Sequence, residues 1–317
     1  MSTRTRYAPD RGLTVRMTAT MFLLGLVFVA FVAALIGILV ATKQSAGLIV
    51  FVAIVFGGGA AFISLFYSDK IALAAAGAHE VTPQQAPELH GIVDRICALA
   101  DMPKPRVAIS PTNLPNAFAT GRNSKMAVLC VTEGLLGALD RDELEGVLAH
   151  EMSHVAHKDV AVMTIASFLG IIAALLVRFS FYGELFGGGG RRGGGNNNNG
   201  GALPILLIIM LVSIVVYAIS FLLIRLLSRS RELAADRSGA LLTGQPSKLA
   251  SALQKVSGDI ARIPTKDLRE SGAEALNAFY FVPALTSGKS LSTLFSTHPS
   301  LERRLAELAK ISKQLGQ

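Results

Sequence analysis

Charge is scarce in this chain. Asp, Glu, Lys and Arg make up 16% of the 317 residues and hydrophobic types 51%, a balance that belongs to membrane proteins. Cysteine is scarcer still. Cys97 and Cys130 stand alone without metal-ligand spacing, which excludes a cysteine-built metal site and fits two reduced core residues of a cytosolic part. The net charge is +8, yet there is no basic stripe with interleaved aromatics. Nucleic acid is therefore excluded as a partner, and the excess suits anionic lipid headgroups. The first two long apolar segments contain no ionisable residue, so the usual mark of an ion or substrate path, and with it a transporter or channel, is missing. A glycine- and asparagine-rich stretch at 182–201 has no strand leading in and no Lys-Ser/Thr after it. It is a flexible loop, not a phosphate cradle.

Four apolar segments reach the roughly 20 residues a bilayer requires: 17–41, 46–67, 160–181 and 202–227. The first is too long for a signal peptide, and Lys43-Gln44-Ser45 turns it straight into the second, so the two read as a helical hairpin. Arg4, Arg6, Arg11 and Arg16 precede the first span and only Lys43 follows it, while the fourth exits into Arg225, Arg229 and Arg231. The positive-inside rule then puts both termini in the cytoplasm, against the milder opposing vote of Arg191 and Arg192. The expected organisation is a cytosolic tail at 1–16, a hairpin at 17–67, a cytosolic lobe at 68–159, a third span at 160–181, a non-cytosolic loop at 182–201, a fourth span at 202–227 and a cytosolic helical lobe at 228–317.

The first lobe ends in His150-Glu151-Met152-Ser153-His154, an H-E-x-x-H. Asp140 with Glu143 three residues on predicts a capping box, and Leu144, Val147, Leu148 and Val155 an apolar stripe, so the motif lies inside a helix buried on one side. One helical turn separates His150 from His154, so both imidazoles reach one metal ion, and Glu151 lies close enough to act on water held there. Catalytic zinc takes three protein ligands. The favoured third is Glu232, in Arg231-Glu232-Leu233-Ala234-Ala235-Asp236; Asp236, a turn on, is placed to accept the free ring N–H of a ligating histidine. Taken alone, that E-x-x-x-D also fits a solvated charged face. His157 is read as a surface histidine at the helix–membrane boundary. About ten residues, roughly 15 Å of helix, separate His150 from the third span, and Glu232 follows the fourth by about five. Both motifs are therefore expected on extensions of transmembrane helices, with the site facing the cytosol just above the headgroups.

In the first lobe, 89–99 has helical periodicity, and 106–110 and 126–131 read as strands. Between the strands, Asn116-Ala117-Phe118-Ala119-Thr120 is either a sheet edge that takes a peptide as an added strand or a strand with no substrate role. Near the C-terminus, Leu301, Leu305, Leu308 and Ile311 predict a docked helix with Pro299 at its first position. His298 there either caps the helix or donates to a developing oxyanion together with Arg303 or Arg304.

These pieces, with Ser296-Thr297-His298-Pro299 and Arg304 six residues past that histidine, occur in one order around four spans, and in combination the chain resembles the HtpX family of bacterial membrane-integrated zinc metalloproteases, related to CAAX prenyl endopeptidases. The resemblance implies a mainly α membrane protein of four transmembrane helices with a cytosolic α+β zincin-like (gluzincin) catalytic domain. It implies one zinc ion per subunit on His150, His154 and Glu232, Glu151 as base, and proteolysis of misfolded or damaged membrane proteins on the cytoplasmic side of the bacterial inner membrane. It also raises the substrate-edge reading of Asn116 to Thr120 and the transition-state reading of His298 and Arg304. The 182–201 loop is longer and richer in glycine than the family suggests, and His157 stands where a different polar residue is usual. Two other readings remain. One is a silent scaffold around a structural metal, against which an intact Glu151 argues. The other is a prenyl-protein endopeptidase, for which four spans are too few.

Overall fold

The structure, a computed structural model, describes residues 11–42, 59, 62–63, 66–67, 69–187, 202–262 and 299–317. They fall into two units. One holds Met1–Leu13, Leu65–Ala161 and Ser228–Gln317, the other Thr14–Ser64 and Val162–Leu227.

The second unit is built from α1 (Arg11–Thr42), most of a helix spanning Asp159–Gly187 and the first part of one spanning Ala202–Thr243. Leu24, Phe31 and Leu35 of α1 share a core with Ala166, Leu169, Ile172, Ala173 and Leu176, and with Ile209, Val216 and Leu227. Phe22, Leu26, Val29, Leu211, Val215 and Leu222 are instead exposed. Apolar residues on both the inner and the outer faces suit helices whose surroundings are themselves apolar. Among the described residues three stretches are long and apolar enough to cross a membrane, Val15–Ile38, Ala161–Arg178 and Leu207–Thr243. Of the expected segment 46–67, only 59, 62–63 and 66–67 are described, and 188–201 of the expected loop lies outside the described residues. The third apolar helix continues to Gly187, six residues into that expected loop.

The first unit is α+β. Its four-stranded sheet runs β1 (His79–Glu80), β2 (Arg106–Ser110), β4 (Val128–Thr132), β3 (Ala117–Thr120). β2 and β4 are parallel, with Arg106 opposite Val128 and Ser110 opposite Thr132; the outer two pairs are antiparallel. All five β4 residues are buried, and their alternation sorts the core. Leu129 and Val131 join the main cluster on one face, while Val128 and Cys130 pack with Ala108, Phe118 and Ala72 on the other. Between β3 and β4 the chain turns through Gly121 at φ +123°, where a Cβ would lie 2.6 Å from the Met126 carbonyl oxygen, so only glycine fits.

Helices supply the rest of the main cluster: α2 (Pro87–Ala100), α3 (Glu133–Ala138), α4 (Arg141–Ala156), the end of α6 (Ala202–Thr243), α7 (Pro246–Arg262) and α8 (Leu301–Gln314), while α5 (Asp159–Gly187), which follows α4 in the chain, adds no residue to it. Helix α8 is capped by Ser300, so Pro299 precedes the cap and does not open the helix. Leu308 and Ile311 are buried in the main cluster, with Leu301 and Leu305 packed against it. Cys97 and Cys130 are free and buried, and burial pushes their thiols up to about 11 and about 12, so neither offers a thiolate near neutral pH.

Central to this unit is α4. Asp140 caps it, accepting from Glu143 N–H at 2.8 Å while Glu143 Oε2 accepts from Asp140 N–H at 2.9 Å. Twelve of its sixteen residues are buried, because α2, β3 and α7 enclose it on several sides. The expected one-sided stripe understates that burial. The helix also ends sooner than expected. It stops at Ala156, and Lys158 takes the left-handed conformation, φ 57°, before α5 begins at Asp159. A single residue at positive φ breaks the i→i−4 ladder, so the H-E-x-x-H helix is jointed to the apolar helix and is not its extension. In contrast, α6 runs unbroken from its apolar part through Glu232 and Asp236.

Candidate metal centre

His150 and His154 project from one face of α4, with rings at 86° and Nε2 atoms 3.2 Å apart. Glu232 on α6 faces them. Its Oε1 is 3.4 Å from His154 Nε2 and its Oε2 is 3.8 Å from His150 Nε2. α6 comes this close because residue 239 is glycine: a Cβ there would lie 2.9 Å from His150 N and 3.1 Å from Ala149 C and His150 Cα.

Each imidazole has a carboxylate behind it. Asp236 Oδ1 is 2.9 Å from His150 Nδ1, and Asp159 Oδ2 is 2.5 Å from His154 Nδ1. Burial holds the His150 pKa below its ordinary value, against the upward pull of Asp236. With each Nδ1 beside a carboxylate, a neutral ring keeps its proton there and presents an Nε2 lone pair to the other two groups. Three acceptors, two nitrogens and a carboxylate, thus converge with no donor among them. That arrangement is repulsive unless a cation lies between. Metal–nitrogen bonds of about 2.0–2.1 Å in a tetrahedron would separate ligand atoms by roughly 3.4 Å, close to the 3.2 Å between the two nitrogens and to the 3.4 and 3.8 Å from each nitrogen to one of the two Glu232 oxygens. The three residues fit one metal ion, and their ligating atoms all lie within 4.8 Å of one another.

Glu151 lies beside this triangle, 6% exposed. Burial pushes its carboxyl up to about 7, reinforced by the charge of Glu232 and opposed by the Ala119 N–H and by Arg304. Its Oε2 accepts from the Ala119 N–H at 3.1 Å. β3 is an edge strand of the sheet, so a backbone donor on its outer side is aimed at Glu151. Asn116, at the start of that strand, is pinned through Thr132. Its N–H donates to Thr132 Oγ1 at 2.8 Å, and its carbonyl accepts from Thr132 N–H and Oγ1, both at 3.0 Å.

Arg304, 2% exposed, donates from Nε to Asp236 Oδ2 at 2.8 Å and from Nη2 to Asp236 Oδ1 at 2.6 Å. Its Nη1 is 3.9 Å from Glu232 Oε2. The guanidinium thus grips Asp236 by a two-point fork and stands behind the ligand set. His298 lies outside the described residues. His157 is half-buried and caps α4, its Nδ1 2.8 Å from the Ser153 carbonyl oxygen, and is not part of the triangle. Sequence reading passed over Asp159. Five residues beyond His154 matches no helical spacing, and only the left-handed Lys158 brings its carboxylate back to that ring.

Residues 83–312 match the model of peptidase family M48. A protein named protease HtpX homolog 1, from Streptomyces coelicolor, is 58% identical over 99% of this chain and 97% of its own. A protease HtpX homolog from Moorella thermoacetica is 50% identical over 98% of both, and one from Pyrococcus furiosus 40% identical over 80% of this chain and 84% of its own. Among solved structures, S. mikatae Ste24p is similar with a TM-score of 0.47 and 18% identity, over 94% of this chain and 66% of that one. With a family match over most of its length and protease relatives along nearly all of it, the chain belongs to peptidase family M48 and is a membrane-bound metalloprotease.

Proposed function

We propose that the chain is a zinc endopeptidase that cuts misfolded or damaged membrane proteins on the cytoplasmic side of the bacterial inner membrane. His150 Nε2, His154 Nε2 and a Glu232 carboxylate oxygen would hold one zinc ion, two imidazoles and one carboxylate being a donor set that suits zinc. The observation that carries the reading is the acceptor-only triangle beside a buried Glu151. Four spans and cytosolic termini, as the flanking charges suggest, put the first unit in the cytosol.

A metal held there would supply Lewis acidity toward the scissile carbonyl and toward a water molecule. Glu151 takes the proton onto a carboxylate oxygen and returns it to the leaving amine. Asp236 holds the Nδ1 proton of His150, which keeps the Nε2 lone pair on the metal side. The β3 edge lines up an extended segment through backbone hydrogen bonds, without demanding a sequence.

The test uses full-length protein in detergent, stripped by chelator, then given zinc and an unfolded membrane-protein substrate. Cleavage that returns with zinc and falls by about 10²–10⁴-fold in Glu151→Gln, with zinc still bound, is the expected result. Equal cleavage by both proteins would sink the role of Glu151. A reporter fused to the C-terminus, active only in the cytoplasm, checks the orientation.

A further inference from the structure

We infer that Asp159 and Arg231 form a positioning pair for His154, fixing its ring and tautomer as Asp236 and Arg304 do for His150; this rests on the metal-site reading above. Asp159 Oδ2 takes two contacts, 2.5 Å to His154 Nδ1 and 2.5 Å to Arg231 Nη2. The pair is 4% and 5% exposed. Each histidine of the triangle therefore has its own carboxylate, and each carboxylate its own buried guanidinium. The two sets draw on different elements: Asp236 on α6 with Arg304 on α8, and Asp159 at the start of α5 with Arg231 on α6.

Stability does not explain the Asp159–Arg231 pair. Among the described residues, Asp159 Oδ1 and Arg231 Nε and Nη1 are buried without a hydrogen-bond partner. Desolvating two charges while leaving such groups unmet costs more than the attraction returns, and apolar replacements of similar shape are commonly neutral or better. The oxygen that is fully used is the one facing His154. Backbone geometry points the same way. Lys158 holds a left-handed φ of 57°, an uncommon conformation for a residue with a side chain, and that turn directs the next residue's carboxylate back at the ring. Asp159 also occupies the first turn of α5, where the helix dipole favours an anion.

On α6, Arg231 and Glu232 are adjacent and Asp236 follows one turn later. That short stretch supplies one ligand, the carboxylate behind His150 and the guanidinium that anchors the carboxylate behind His154. The R-E-x-x-x-D run thus sets all three ligands, not one.

The test measures Zn2+ affinity of full-length, detergent-solubilised protein by competition with a chelating dye, and the visible d–d bands of the Co2+-loaded protein. Wild type, His150→Ala, Asp159→Asn, Arg231→Lys and the double variant Asp159→Leu/Arg231→Met are compared. Asp159→Asn should weaken Zn2+ binding about 10–100-fold and shift the Co2+ bands. The double variant should lose metal affinity by as much while its metal-free Tm stays at or above wild type. Arg231→Lys, which keeps a cation and a donor, should lie closer to wild type than the double variant does. Wild-type affinity and bands in Asp159→Asn and in the double variant, with His150→Ala unable to bind, would overturn the positioning role and leave the metal site standing. A collapse of the metal-free Tm in the double variant would also overturn it, marking the pair as a structural clamp. A wild type that binds no ion, or a His150→Ala that binds as tightly, would overturn the metal site itself.

Discussion

Ala119 donates its backbone N–H to the Glu151 carboxylate across 3.1 Å, so an edge strand and a helix that meet only through tertiary packing share one hydrogen bond at the metal centre. The bond is a small offset to a large desolvation, and burial still holds the Glu151 carboxyl at about 7 against an ordinary 4.5.

That shift predicts a pH signature in metal-free protein. A folded-state value above the unfolded one means that Glu151 favours the fold fully below pH 4.5, and that this contribution is lost as pH rises through about 7. Thermal unfolding in chelator, compared between wild type and Glu151→Gln, should give a Tm difference that turns against wild type across this window and is flat above it. On the scale of 1.36 kcal/mol per pKa unit the loss is on the order of 3 kcal/mol. A bound cation stabilises the carboxylate, so the same comparison with metal should move the window to lower pH. A difference that does not change with pH would place the carboxyl at its ordinary value.

Arg304 and Asp236 should behave as one unit. Both are at or below 2% exposure, so Arg304→Met leaves a buried carboxylate without its fork, and Asp236→Leu leaves a buried guanidinium. Each single change should cost about 3–5 kcal/mol, and the double change less than the sum, read from a double-mutant cycle of denaturant unfolding. Additive losses would show that the fork contributes nothing as a pair.

Gly239→Ala tests how closely α6 must approach α4. The new methyl would meet the backbone of Ala149 and His150 at 2.9–3.1 Å, and a backbone yields less than a side chain. Overpacking should cost about 1–3 kcal/mol and weaken metal binding by displacing Glu232 from the histidines. Gly258→Ala on α7, with nothing within 4 Å of the added methyl, is the control and should gain up to about 1 kcal/mol of helix propensity. Equal effects at the two sites would show that the close approach does not matter.

Much of the first unit was legible in the residues themselves. The capping box, the two interior strands, the motif helix and the Glu232–Asp236 pair all follow from short-range rules, and short range is where sequence speaks most directly. The stop at Ala156 was not legible. Val160 onward is apolar, and no glycine or proline marks the break; a lysine takes the left-handed turn that a glycine usually would. The partner of His154 was hidden for the same reason. The fork on Asp236 joins residues 68 apart, a distance over which a sequence alone carries no geometry.

The start of α4 predicts acid sensitivity. Burial alone would raise the Glu143 carboxyl, but Lys255 at 2.6 Å, Ser251 at 2.6 Å and the Asp140 N–H at 2.9 Å outweigh it and hold the pKa below 4.5. A depressed folded value means that the contribution is present above pH 4.5 and is lost as pH falls further. Glu143→Gln should flatten the acid end of the Tm profile and leave the neutral-to-alkaline end parallel to wild type. Asp140→Ala, which removes the cap, should cost about 1 kcal/mol. An unchanged acid slope in Glu143→Gln would move the sensitivity elsewhere.

The edge beside Glu151 is four residues long, Ala117–Thr120, and it speaks only the language of backbone. A segment bound along it must arrive with its own N–H and C=O groups unspent, because a residue already paired in a helix or sheet has none to give. If the edge takes a peptide as an added strand, as proposed, it would sort clients by what they have failed to do. A well-folded neighbour would pass untouched, while a chain that has lost even a short run of its native pairing would carry, over those few residues, its own admission ticket.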